Sequence, residues 1–233
     1  MPDDAPALTL VMPLRKKDSI TTDDFTDYWF NAHVTLPPRF PGLESVWLHA
    51  VSFPASSWPP VPGVSSAPDE QDEFHGVPEA TFRTMEDLAA FQGASAVQME
   101  DGANFLSEML AYANIGPNSL TVKDETDPAP DGSDSYTRHL VFLRARPGED
   151  LREFVAHELA PAWAAEPEVL KLRRHLFEPV ENTLDHPGVR MSKPYERQYQ
   201  AALEVVVPDE AALRRFSGSP GWKGTVDELA RRC

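Results

Sequence analysis

One order of apolar and polar stretches occurs twice along the chain. Residues 8–17, LTLVMPLRKK, and residues 139–148, HLVFLRARPG, are apolar runs that close on basic residues and predict strands. Each is followed by a helical pattern, TTDDFTDYWFNAHVTLP at 21–37 and GEDLREFVAHELAP at 148–161. The Thr-x-x-Asp at Thr21 reads as a helix start. In both, a histidine precedes a proline by four residues, His33 with Pro37 and His157 with Pro161, and the proline is expected to end the helix because it lacks the N–H that the helix needs. Second strands follow at 43–53 and 169–180, and each carries a histidine, His49 and His175. Third strands at PEATF and AALEVVV lead into the helical TMEDLAAF and PDEAALRRF, with Phe91 and Phe216 at matching positions.

The repeated order predicts an α+β protein of tandem ferredoxin-like βαββαβ modules. The first spans 1–125, with LAYANIGPNSLTV as its last strand region, and the second spans 138–233. A Pro, Gly, Ser and Asp-rich linker at 126–137 separates them. The second module stops after its second helix, so its final strand is either missing or supplied from elsewhere. Insertions at 54–76 and 181–198 fall between the second and third strands of each module and are expected to be lids or surface loops.

Charge narrows the partners. The chain has 21 Lys+Arg against 37 Asp+Glu, a net −16, which repels phosphate backbones and anionic lipid, so neither nucleic acid nor a membrane is an expected partner. No apolar run reaches the roughly 20 residues of a bilayer span, and the acidic N-terminus is unlike a signal peptide, which predicts a cytoplasmic protein. The single cysteine, Cys233, excludes an internal disulfide and a thiolate metal cluster. G-x-G-x-x-G, P-loop, H-E-x-x-H, EF-hand and G-x-S-x-G motifs are absent, which removes support for nucleotide, zinc-protease, calcium and hydrolase-elbow chemistry. No metal is expected, and haem stays open because one histidine suffices as an axial ligand.

The helix bearing Phe25, Tyr28, Trp29 and His33, together with the later pair Asp101 and Phe105, resembles the EthD family of dimeric α+β barrel proteins. That resemblance implies two modules packed sheet to sheet in one chain where many relatives use two subunits, hence a monomer with an internal pseudo-dimer, or a homodimer. It also implies an enzyme without cofactor, or a small-molecule binder, since the wider superfamily includes aromatic polyketide cyclases, anthrone oxygenases, lactone isomerases and haem enzymes. The second module keeps Phe154, His157 and Pro161 but has Glu153 and Val155 where the aromatic pair would stand.

Candidate chemistry centres on histidine, which exchanges protons near neutral pH. His33 is the first candidate, with Phe25 and Trp29 as an aromatic wall for a planar substrate and Tyr28 as donor to a developing enolate. The competing role of these aromatics is to pack the helix on its sheet. His49 shares a strand phase with Trp47 and is expected to face a pocket, polarising a carbonyl, with Glu79 as a further base. His157 and His175 would repeat the substrate contacts in the second module, with Arg173 or Phe177 beside His175. Asp101 reads as a structural hydrogen-bonding carboxylate. The expected function is histidine acid/base chemistry on a small hydrophobic, aromatic or polyketide-like molecule: cyclisation, dehydration, decarboxylation or oxygenation. The alternatives are a non-catalytic binding module and a haem-binding barrel.

Overall fold

The computed structural model describes residues 8–36, 40–51, 58–64, 70–129, 134–178 and 186–233. Two compact units form, and neither follows the expected boundaries. The first comprises Met1–Phe53, Pro68–Pro117 and Val180–Tyr195, and the second Pro54–Ala67, Asn118–Pro179 and Glu196–Cys233.

The first unit runs β1 (Leu8–Val11), β2 (Leu14–Lys16), α1 (Thr22–Asn31), β3 (Ser45–Ala50), β4 (Gly76–Phe82), α2 (Met85–Ala94), α3 (Ala96–Phe105), β5 (Leu106–Met109) and β6 (Tyr112–Ile115). Pro13, which cannot donate to a ladder, splits the first strand into β1 and β2. The last strand is divided opposite it, because β5 pairs with β2 and β6 with β1. The sheet order β5-β2-β4-β1-β6, with β3 on β4, is the antiparallel ferredoxin-like arrangement of fourth, first, third and second strands. Side chains alternate across it. Leu8, Ala80 and Phe82 pack against Leu88 of α2, and Leu14 packs against Phe25, Trp29 and Phe105 of α1 and α3. The intervening residues, Thr9, Val11, Glu79, Thr81, Tyr112 and Asn114, face the other way.

Close packing of α1 depends on Gly76, where an added Cβ would lie 2.5 Å from the Trp29 ring. The later part of the 181–198 insertion is a strap on this unit: Arg190 exchanges backbone hydrogen bonds with Ser107 and Met109, and Val189 and Met191 join the Leu14 and Trp29 core. Lys193, buried, reaches Asp72 at 3.0 Å and Glu108 at 2.9 Å, and Arg190 also pairs with Glu108. Each buried charge thereby has an opposite one, without which its desolvation would be costly.

The second unit runs β7 (Ser119–Asp124), β8 (Thr137–Leu143), α4 (Arg152–Phe154), a π-turn at Val155–Leu159, α5 (Ala160–Ala164), β9 (Lys171–Leu176), β10 (Ala201–Val207), α6 (Glu210–Phe216) and α7 (Pro220–Arg232). Its antiparallel sheet has the order β7-β9-β10-β8. The expected last strand of the first module therefore divides: β6 completes the first sheet and β7 supplies a fourth strand to the second. β7 joins at β9, so β8, beside which a ferredoxin-like fourth strand would lie, has no outer neighbour among the described residues. Pro161 does not end its helix. The π-turn, with the Ala160 N–H bonded to the Val155 carbonyl, widens the coil just before Pro161 and lets α5 continue. Trp163, Phe216 and Trp222 form the aromatic centre of the core. Trp58 and Val61 from the first insertion pack into it, so that part of the insertion is core rather than lid.

Among the described residues no helix is long and apolar enough to cross a membrane. Gly76→Ala is expected to lower unfolding stability by about 1–3 kcal/mol, the cost of overpacking against Trp29. Urea denaturation checks this, and an unchanged midpoint would mean that α1 does not seat closely on β4.

Candidate functional site

The first unit gathers a hydrogen-bonded group between α1 and α3. Thr21 caps α1 by accepting from the Asp24 N–H at 3.0 Å, with Asp23 and Asp24 in the favourable first turn. The cap sets the phase of the helix. Phe25 and Trp29, four residues apart, turn inward and are fully buried, while Tyr28 stands at the rim. The chain then tightens into a 3-10 turn, His33–Thr35, which carries the His33 ring inward until it is 7% exposed. From α3, Gln98, Asp101 and Phe105 present one face at helical spacing.

Asp101 joins these parts. The Tyr28 hydroxyl donates to its Oδ1 at 2.5 Å, and the His33 Nδ1–H donates to its Oδ2 at 2.7 Å. The second ring nitrogen of His33 faces the Gln98 amide nitrogen at 3.4 Å. Phe105 lies under both rings, with centroids 5.2 Å from Tyr28 and 5.0 Å from His33. An Asp101 carboxylate directed at Nδ1 fixes the imidazole tautomer and leaves the Nε2 lone pair available, as an orienting group does for a general base. The hydrogen bond to Asp101, reinforced by burial and by its charge, raises the Tyr28 phenol above its ordinary value. Tyr28 is thus a protonated phenol whose hydrogen bond is already committed to Asp101.

Residues 17–108 match the EthD domain. The matched span holds every member of this group. No curated protein matches the chain. Among solved structures, a candidate monooxygenase from Fusobacterium nucleatum is similar over 98% of this chain and 88% of its own, at 10% identity and a TM-score of 0.58. An anthrone oxidase-like protein is similar over 99% of this chain and 86% of its own, at 14% identity and a TM-score of 0.54. At such identities the likeness is one of fold.

The expected site residues do not form one cluster. Phe25 and Trp29 are sheet-facing core of the first unit, which corrects their assignment as an aromatic wall for a substrate. Trp47, His49 and Glu79 share one phase of β3 and β4, pairing Trp47 with Glu79 and His49 with Val77. Leu48, on the other phase, packs with the Phe25 and Trp29 core. His49 therefore lies on the sheet face opposite the one α1 covers, and cannot share a substrate atom with His33. In the second unit, His175 is buried on the sheet face away from the helices, bonded through Nδ1 to the Ser119 hydroxyl at 2.8 Å and stacked near Phe177, with Arg173 on the same face. His157 departs from the expected role: it is exposed on the π-turn, 3.2 Å from the exposed Glu153. Among the described residues no group of three or more His, Cys, Asp and Glu could hold a metal.

Gln98 and His75 were not singled out from sequence. Gln98 was detectable in principle, three residues before Asp101 on the same helix face. His75 lies edge-on to Phe25, centroids 6.0 Å apart, and only folding brings it there. Burial, with help from Lys16 and Arg15 and against Asp18, pulls its pKa down to about 4. The unfolded chain, with a histidine pKa near 6.5, binds this proton first, so the stability is present above about pH 6.5 and is lost as pH falls through about 4. A His75→Phe variant should show a shallower decline of the urea midpoint over that interval than the parent. Identical slopes would remove His75 as a source of acid sensitivity.

Proposed function

We propose that the EthD domain is the working half of a small-molecule enzyme in which His33 exchanges protons with an aromatic or polyketide-like substrate and Asp101 holds it in position. The observation that supports this is the 2.7 Å contact of His33 Nδ1 with Asp101, whose other oxygen is held by Tyr28. Such a carboxylate stabilises the imidazolium formed when Nε2 takes a proton, and the same ring can return it, which suits enolisation, cyclisation, dehydration or decarboxylation. The 3.4 Å separation from Gln98 is a weak contact that a substrate carbonyl or hydroxyl can replace, with the amide then donating to the substrate. The likeness to a candidate monooxygenase and to an anthrone oxidase-like protein adds oxygenation of an enolised ring to the reactions this site suits.

The test is turnover of a panel of aromatic polyketide intermediates by the purified chain. His33→Ala should lower kcat/KM by roughly 10²–10⁴, the usual contribution of a positioned acid/base group. Asp101→Asn should lower kcat with little change in KM, because the amide no longer holds the ring in one orientation and tautomer. Full activity in His33→Ala would refute the mechanism. Saturable binding without turnover would replace catalysis by sequestration, and a Soret band in the purified protein would replace it by haem chemistry.

A further inference from the structure

One piece of the first insertion, residues 58–64, belongs to the second unit and holds to it by side chains alone. Three of its residues, Pro59, Pro60 and Pro62, have no N–H to give to a ladder. Among the described residues its one backbone hydrogen bond is internal, from the Val64 N–H to the Val61 carbonyl at 3.0 Å. What fixes the piece is Val61, buried in the core, with Trp58 and Val64 partly buried against the same core.

The Trp58 indole lies in a box of rings. Its centroid is 5.8 Å from Trp163, 5.7 Å from Trp222, 6.5 Å from Phe216 and 5.2 Å from His139. Trp163, Phe216 and Trp222, on α5, α6 and α7, also pack on one another at 5.2–5.4 Å. The Trp163 indole N–H donates to the Thr225 hydroxyl at 3.0 Å. These three rings therefore form a floor that does not depend on Trp58. His139 is the wall, on the phase of β8 that Val141 and Leu143 turn to the same core. Burial holds it below the ordinary histidine range, against the opposing pull of Glu210 on α6, so at neutral pH the ring is uncharged and carries one N–H and one lone pair. Its Nε2 is buried and, among the described residues, has no hydrogen-bond partner. Such an atom is costly, and the indole beside it leaves it unmet.

We propose that this box is a binding site for a neutral, hydroxylated planar bicyclic arene, which displaces the Trp58 indole and meets His139 Nε2 with its hydroxyl. Trp58 itself shows that a ring of indole size fits against the floor, and the hydroxyl supplies what Trp58 lacks. A saturated ring would forgo the edge and stacking contacts with the aromatic floor. An anion would meet the repulsion of Glu210. The site lies wholly within the second unit, apart from the His33 group of the first. Trp58 is thus a plug whose departure costs no backbone ladder.

The experiment follows the Trp58 indole N–H signal of the ¹⁵N-labelled full chain, assigned by its loss in Trp58→Phe, during titration with 5-hydroxyindole, with indole, and with cyclohexanol as the saturated control. The expected result is a saturable shift with 5-hydroxyindole, weaker binding of indole, and no shift with cyclohexanol. Trp58→Ala, followed through the Trp163 and Trp222 signals, should bind 5-hydroxyindole roughly tenfold or more tightly than the parent, because no plug has to leave first. His139→Phe should bind 5-hydroxyindole and indole equally, and His33→Ala should bind as the parent does. No saturable shift in the parent overturns the proposal, as does binding that Trp58→Ala fails to strengthen or a preference for the hydroxyl that survives in His139→Phe. Loss of binding in His33→Ala would assign the ligand to the first unit and overturn it as well. If Trp58→Ala does not fold, the parent and His139→Phe titrations decide.

Discussion

Asp101 receives two donors from two consecutive segments of the chain, the Tyr28 phenol on α1 and the His33 imidazole on the 3-10 turn, and it sits on a third segment, α3. Hydrogen bonds to a charged group are worth about 1.5–3 kcal/mol each where they are sheltered, so this carboxylate does more than a surface contact to hold the helical layer in one arrangement. Its position also decides which faces of α1 are available. With Tyr28 and His33 turned toward α3, Phe25 and Trp29 must turn to the sheet, where the bare Gly76 makes room for the indole. Packing and candidate chemistry are thus two consequences of one constraint.

The sheet of the first unit then acts as a partition. On the helix side lies an oriented histidine with aromatic neighbours, and on the other side lie hydroxyl, amide, phenol and carboxylate groups in adjoining rows. The second unit repeats the order of its strand, helix, strand, strand, helix core, with its extra strand on the other edge, without repeating this chemistry. Among the described residues His157 meets only the exposed Glu153 and points to solvent, and the unit's buried histidine, His175, is held by a serine from β7. Both sheets keep the apolar alternation that folds them, while their polar residues differ.

Much of this was legible in the sequence, for identifiable reasons. Strand alternation placed Trp47 and His49 on one phase, and Thr21 announced the start of α1, because both are local rules of backbone geometry. The Asp101 and Phe105 pair was legible only through the family resemblance. What escaped were decisions made by distant parts of the chain. The linker boundary misplaced β7, since nothing in SLTVKD says which sheet edge it will join. Pro161 suggested a helix end because a widened π-turn has no sequence signature of its own. Trp58 and Met191 looked like loop residues amid prolines and polar groups, yet they complete hydrophobic cores. The face that Phe25 and Trp29 occupy was ambiguous until Gly76, nearly fifty positions later, supplied the space.

The account rests on an imidazole held in one tautomer by Asp101, and nitrogen NMR of ¹⁵N-histidine-labelled protein at neutral pH observes that directly. The expected spectrum for His33 has a protonated Nδ1 with a hydrogen-bonded proton shifted downfield, an unprotonated Nε2, and loss of the downfield proton in Asp101→Asn. A His33 ring protonated at Nε2 instead, or a spectrum unchanged by Asp101→Asn, would contradict the account.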